Sequence, residues 1–195
     1  MYINSTRFAF GFDCDPFPGG HTWTLATVTG RLLREAEARF GPRDRSFTLL
    51  GVEFTSTDVP QTWFPGASDQ VIIQLSDQAR TEPHRACFQL AHEIIHLLAP
   101  ISGGGAPVIE EGLATLFADE QAARYRWNIA TGMRSYLDAK AAVSALLFLN
   151  PDAIRHIRST RPGFRQFTPE LLINAAPAFD PVLATYLCQP FIRAR

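Results

Sequence analysis

Apolar positions recur along the chain with two periods, and the switches between them mark its elements. From Thr22 they fall at Trp23, Leu25, Ala26, Val28, Leu32, Leu33, Ala36 and Phe40, the spacing of one face of an amphipathic helix, which Gly41-Pro42 stops. Ser46 to Thr55 predicts a short β-prone strand, and Gln70 to Leu75 a second one ended by Ser76-Asp77. Between them Asp58 to Asp69, with Pro60, Pro65 and Gly66, reads as loop. A buried helix is expected from Thr81-Glu82-Pro83, where Thr81 can cap and the proline suits a first turn, to about Ala99 before Pro100. Beyond the glycines 103–105, helical patterns cover Val108 to Ala118, about Tyr136 to Leu149, and Asp152 to Arg158. Thr168-Pro169-Glu170 looks like a capped start, and Pro181 to Leu187 like a last apolar helix. The first twenty residues, rich in Phe, Gly and Pro, read as an irregular arm that packs its aromatics onto the body.

This order predicts an α+β fold: a small antiparallel or mixed sheet packed on the buried helix, followed by a mainly helical C-terminal half. With no repeat or long linker, residues 1–195 read as a single domain, of which 1–20 are the arm. Composition changes the picture only by exclusion. Hydrophobic residues at 46% and charged residues at 19% are globular values, and a formal net charge of −1 draws the chain to neither nucleic acid nor an anionic membrane. The run Arg155 to Arg165 reads as a solvated basic helix face rather than a nucleic-acid site, since no binding motif accompanies it. No apolar run reaches the length of a membrane span, and the N-terminus lacks the pattern of a signal peptide. Three scattered cysteines make neither a disulfide framework nor a zinc ribbon, which points to the cytoplasm; Cys87 reads as core and Cys14 as a free thiol.

The chemistry concentrates in the buried helix, at His92-Glu93-Ile94-Ile95-His96. Positions i and i+4 share a helix face, so His92 and His96 can present two imidazole nitrogens to one metal ion. Glu93 can place a carboxylate beside a water held by that ion. Such a site needs a third protein ligand, and the nearest downstream candidates are Glu110 and Glu111. The intervening residues suffice to end one helix, reverse through the glycines, and bring a second helix alongside.

Together with Glu111-Gly112-Leu113-Ala114-Thr115, the His-Glu-x-x-His segment resembles the gluzincins, zinc metallopeptidases whose third ligand is a glutamate. The short spacer and small size look most like the compact minigluzincins. The second motif of that superfamily is often Asn-Glu-Gly-x-Ala; here Glu110 stands at the asparagine, so the resemblance implies Glu111 as the ligand. It implies one zinc ion on His92, His96 and Glu111, Glu93 as general base, and a peptide or protein as substrate, cut by a metal-activated water. It also implies an oxyanion donor, for which the chain offers Tyr125, Tyr136 and His156 without a choice among them. Thr115 is a candidate to support the ligands, and its bland alternative is an ordinary mid-helix threonine. The strand Gln70 to Leu75 stands where an edge strand of the family pairs with extended substrate. The loop Trp63-Phe64-Pro65-Gly66 either lines a substrate site or packs internally. A non-catalytic module with a structural or regulatory zinc and a partner-binding cleft is the alternative, against which Glu93 speaks.

Overall fold

The computed structural model describes residues 24–66, 69–103 and 105–194; the expected N-terminal arm and Cys14 lie outside them. Helix α1 (Leu25–Phe40) comes first, followed by strands β1 (Thr48–Phe54), β2 (Gln61–Trp63) and β3 (Gln70–Leu75). Helices α2 (Pro83–His96), α3 (Val108–Tyr125), α4 (Arg134–Leu149), α5 (Ala153–Arg158), α6 (Pro169–Ala175) and α7 (Pro181–Leu187) complete the order, with single 3-10 turns at Asp77–Arg80 and Phe164–Gln166. The class is α+β, as the hydrophobic pattern predicts.

Three helix starts have a local cause in side-chain caps, the last being Asp180, which accepts from the Val182 amide at the start of α7. Thr24 and Thr27 form a reciprocal capping box on α1, and Thr168 accepts from the Leu171 amide at the start of α6. Helix α2 differs from expectation at both ends. Its flanking residue is Glu82, without a side-chain cap, so Thr81 plays no such part, and the helix closes at His96 rather than Ala99. Its start relies on Pro83, whose missing N–H would have had no helical partner anyway.

The sheet is mixed, in the order β1-β3-β2: β1 runs parallel to β3, and β2 antiparallel to it. Two expectations fail here. Residues 58–69 are not all loop, because Gln61–Trp63 form β2, a strand too short to show a period. The strand Gln70–Leu75 is central, flanked on both sides, so its backbone groups are taken and it cannot pair with a substrate. Among the described residues the edges of the sheet are β1 and β2. One face of β3 (Val71, Ile73, Leu75) is wholly buried; the other carries Gln74, which bridges Gln61 and Glu53 across the three strands.

One continuous core joins the sheet to all seven helices. Phe40 and Phe117 meet edge to face within it, and Cys87 is fully buried, as expected of a core thiol. Arg158 is the unexpected core member. Far from the solvated face predicted for it, it is buried and donates to the carbonyl oxygens of Phe40, Gly41, Pro42, Leu98 and Pro162. Burial lowers its pKa to about 10, against the raising influence of Glu110 and Glu37, so it stays charged at neutral pH. It thereby satisfies carbonyls at the ends of α1 and of the turn after α2.

Helices α3 and α4 approach closely at Gly112. A Cβ there would stand 2.5 Å from the Ala139 carbonyl oxygen and 2.8 Å from Val143 Cγ2. The obstacle is chiefly backbone, which cannot rotate away. Gly112→Ala is therefore expected to cost about 1–3 kcal/mol by overpacking, read as a lowered urea midpoint. Gly132→Ala, where nothing stands within 4 Å, is expected to stay within about 0.5 kcal/mol.

Candidate metal centre

Helix α2 packs Leu90, Ala91, Ile94 and Ile95 into the core with no exposure, which turns His92 and His96 toward a cleft on its other side. A buried pair fixes the helix against the sheet: Gln89 accepts from the Ser76 amide at 2.9 Å and donates to the Ser76 hydroxyl at 2.8 Å. Glu110 and Glu111 lie in the first turn of α3, where the helix dipole favours carboxylates.

The helices bring the three expected ligands together. One donor atom each from His92, His96 and Glu111 lie within 4.8 Å of one another. His92 Nε2 is 3.2 Å from Glu111 Oε2, and His96 Nε2 is 3.8 Å from Glu111 Oε1. On its other edge His96 Nδ1 meets Glu110 Oε1 at 2.7 Å. The Glu110 contact engages Nδ1, which leaves Nε2 as the His96 nitrogen on the Glu111 side, where a cation would take the place of its proton. Glu111 Oε2 is buried and makes no hydrogen bond, although an imidazole nitrogen faces it. Two lone pairs aimed at a shared space are what a bound cation resolves, and two imidazoles with one carboxylate are a donor set that suits zinc.

The charges point the same way. Burial disfavours the imidazolium of His96, but Glu111, Glu110 and Glu93 outweigh it and push its pKa up to about 10. Burial acts to raise Glu111, but His96, His92 and Arg193 hold it down at about 2. Glu93 stands above the usual carboxylate range because burial outweighs the pull of His96 and His92. Two buried carboxylates and the part-buried Glu111 in one cluster call for added positive charge, which a divalent ion would supply.

No protein family, curated protein or solved structure matches the chain. The likeness to gluzincins therefore stands on its two short motifs, and the residues around them must carry the rest of the argument.

The donors open into a cavity of about 400 Å³. Thr62, on β2, forms one wall and donates its hydroxyl to Glu93 Oε2 at 3.0 Å. Tyr136, at the start of α4, also lines the cavity, its ring centroid 5.8 Å from that of His92. Its hydroxyl accepts from Arg193 Nη2 at 2.7 Å. Burial and Glu111 raise the Tyr136 pKa, and Arg193 opposes them. Of the three oxyanion candidates, Tyr136 alone lines the cavity: Tyr125 stacks on Trp127, and His156 is exposed on α5. Thr115 donates to the Glu111 backbone carbonyl at 2.8 Å, the ordinary mid-helix bond, and not to its carboxylate. Residues 63–66 do not line the cavity; Phe64 packs on Phe47, while Trp63 is exposed.

Sequence reading missed Thr62 and Arg193, which no motif marks, and offered Glu110 only as the alternative to Glu111 for the third ligand, not as the partner of His96 Nδ1. An acidic residue beside a ligand glutamate was the one available signal for Glu110.

His92→Ala and Glu111→Ala are expected to abolish tight binding of one zinc ion per chain, measured by competition with a chromogenic chelator. Glu110→Ala, which frees His96 Nδ1, should weaken it by about 10–100-fold.

Proposed function

We propose that the protein is a zinc-dependent peptidase of gluzincin type, its ion held by His92, His96 and Glu111. One observation carries the reading: Glu93 shares the cavity with the three donors, yet is held apart from them by the Thr62 hydroxyl at 3.0 Å. A purely structural site has no use for a buried carboxylate beside its ligands. When bound, the ion supplies the Lewis acidity that activates water and polarises a peptide carbonyl.

The chain's own groups divide the remaining work. Glu93 takes a proton from water and returns it to the leaving amine, while Thr62 keeps the carboxylate turned toward the cavity. Tyr136 accepts from Arg193, which leaves its single proton for an oxygen in the cavity. That hydroxyl is the donor for the negative charge that develops on the carbonyl oxygen. Strand β2 borders the cavity through Gln61 and Thr62, and among the described residues its outer edge has no partner strand. An extended peptide laid along that edge would gain main-chain hydrogen bonds and lie across the donors.

No helix among the described residues is long and apolar enough to cross a membrane.

The test is cleavage of a fluorogenic peptide library by zinc-loaded protein. Turnover should vanish with chelator and return with zinc. Glu93→Gln should retain zinc and lose at least about 100-fold in kcat; full activity in that variant would sink the mechanism. Tyr136→Phe should lower kcat by about 10–1,000-fold with little change in KM.

A further inference from the structure

We propose that Arg193 forms a carboxylate-binding subsite, so that the peptides taken here carry a carboxylate close to the bond that is cut. This rests on the peptidase reading for its substrate class.

Arg193 is carried by a segment pinned on both sides. The Gln189 carbonyl accepts from the Val108 amide, Pro190 pairs with Pro107, and the Phe191 amide donates to Ala106. Beyond Arg193, the Ala194 amide and carbonyl both bond the Ser135 hydroxyl. Phe191 also packs on the Tyr136 ring at 4.7 Å. The guanidinium is thus delivered to the cavity wall by fixed backbone, and its Nε and Nη2 reach the Tyr136 hydroxyl at 3.2 and 2.7 Å.

What distinguishes it among the described residues is the lack of a carboxylate in direct contact, although it lies in the field of Glu111. Among the described residues no acidic side chain lies within ion-pair distance of Arg193. Arg85, the cavity's other arginine, is engaged by Glu82 at 2.8 Å. The cavity's own acids are committed elsewhere: Glu110 to His96, Glu111 to the two imidazoles and Glu93 to Thr62. A guanidinium has five N–H donors in a planar fork, and two of its nitrogens aimed at one hydroxyl leave the others for a ligand. The group that matches that fork in charge and shape is a carboxylate. Since Arg193 touches Tyr136, and Tyr136 packs on His92, a carboxylate there would sit within a residue or two of the reacting carbonyl. Its source is either the α-carboxylate of a peptide end or an Asp or Glu side chain.

The experiment is fluorescence anisotropy on zinc-loaded full chain carrying Glu93→Gln, at physiological ionic strength. One labelled core peptide is used in four forms: free C-terminus, C-terminal amide, and the amide with Glu or with Gln scanned along it. The carboxylate forms should bind at least about ten-fold more tightly than their neutral partners. Whichever pair shows the difference identifies the source. Arg193→Gln keeps an N–H donor for Tyr136 but removes the charge, and should bring paired forms within about two-fold. Arg193 is exposed, so the variant should fold, and an unchanged melting curve checks this. Equal or absent binding of the paired forms, or a preference that survives Arg193→Gln, overturns the inference. The same peptides are then given to the zinc-loaded chain with Glu93 intact: cleavage without carboxylate preference overturns the inference alone, whereas carboxylate-dependent binding with no cleavage by that chain overturns the peptidase reading alone.

Discussion

Like charges confined in a poorly solvated space are the constraint on which this fold turns. Glu93, Glu110 and Glu111 share the floor of one cavity, and an uncompensated carboxylate there would cost several kcal/mol. Each is met by a different device. Glu110 spends one oxygen on His96 and lies in the field of the buried Arg158. Glu111 faces two imidazoles from the first turn of its helix, and Glu93 takes a hydroxyl from the sheet. Arg158 is the costly member, a buried cation, and the fold offsets its desolvation with five carbonyl oxygens drawn from the ends of other elements. The same side chain thus closes helix ends and balances the cavity floor.

Much of this was legible because it is local. Helix α7 was predicted to the residue and α1 nearly so, since period and caps are properties of neighbours along the chain. His92, Glu93 and His96 were legible for the same reason: a helix fixes what lies one turn apart. Glu111 required a guess that the chain doubles back, which the glycines at 103–105 and a family likeness supplied.

The misses are all non-local. Strand β2 has three residues and takes its conformation from pairing with β3, so no window of its own sequence announces it. Because β2 went unseen, β3 was mistaken for an edge. Arg158 reads as basic surface by composition, and only the convergence of Phe40, Gly41, Pro42 and Leu98 around it turns it inward. Arg193 stands more than eighty positions from Glu111, beyond the reach of any spacing argument.

Gly112 joins these themes in a way its place in a motif conceals. Ala139, whose carbonyl it admits, lies one turn after Tyr136 on α4, while Gly112 directly follows Glu111 on α3. The span from the Glu111 carboxylate to the Tyr136 phenol is therefore gauged by a missing methyl group. A wider residue would act as a shim, displacing the wall as a rigid piece while leaving every donor chemically intact. Cleft width is in this sense a heritable dimension of the molecule, written one position from Glu111 and adjustable without touching its carboxylate.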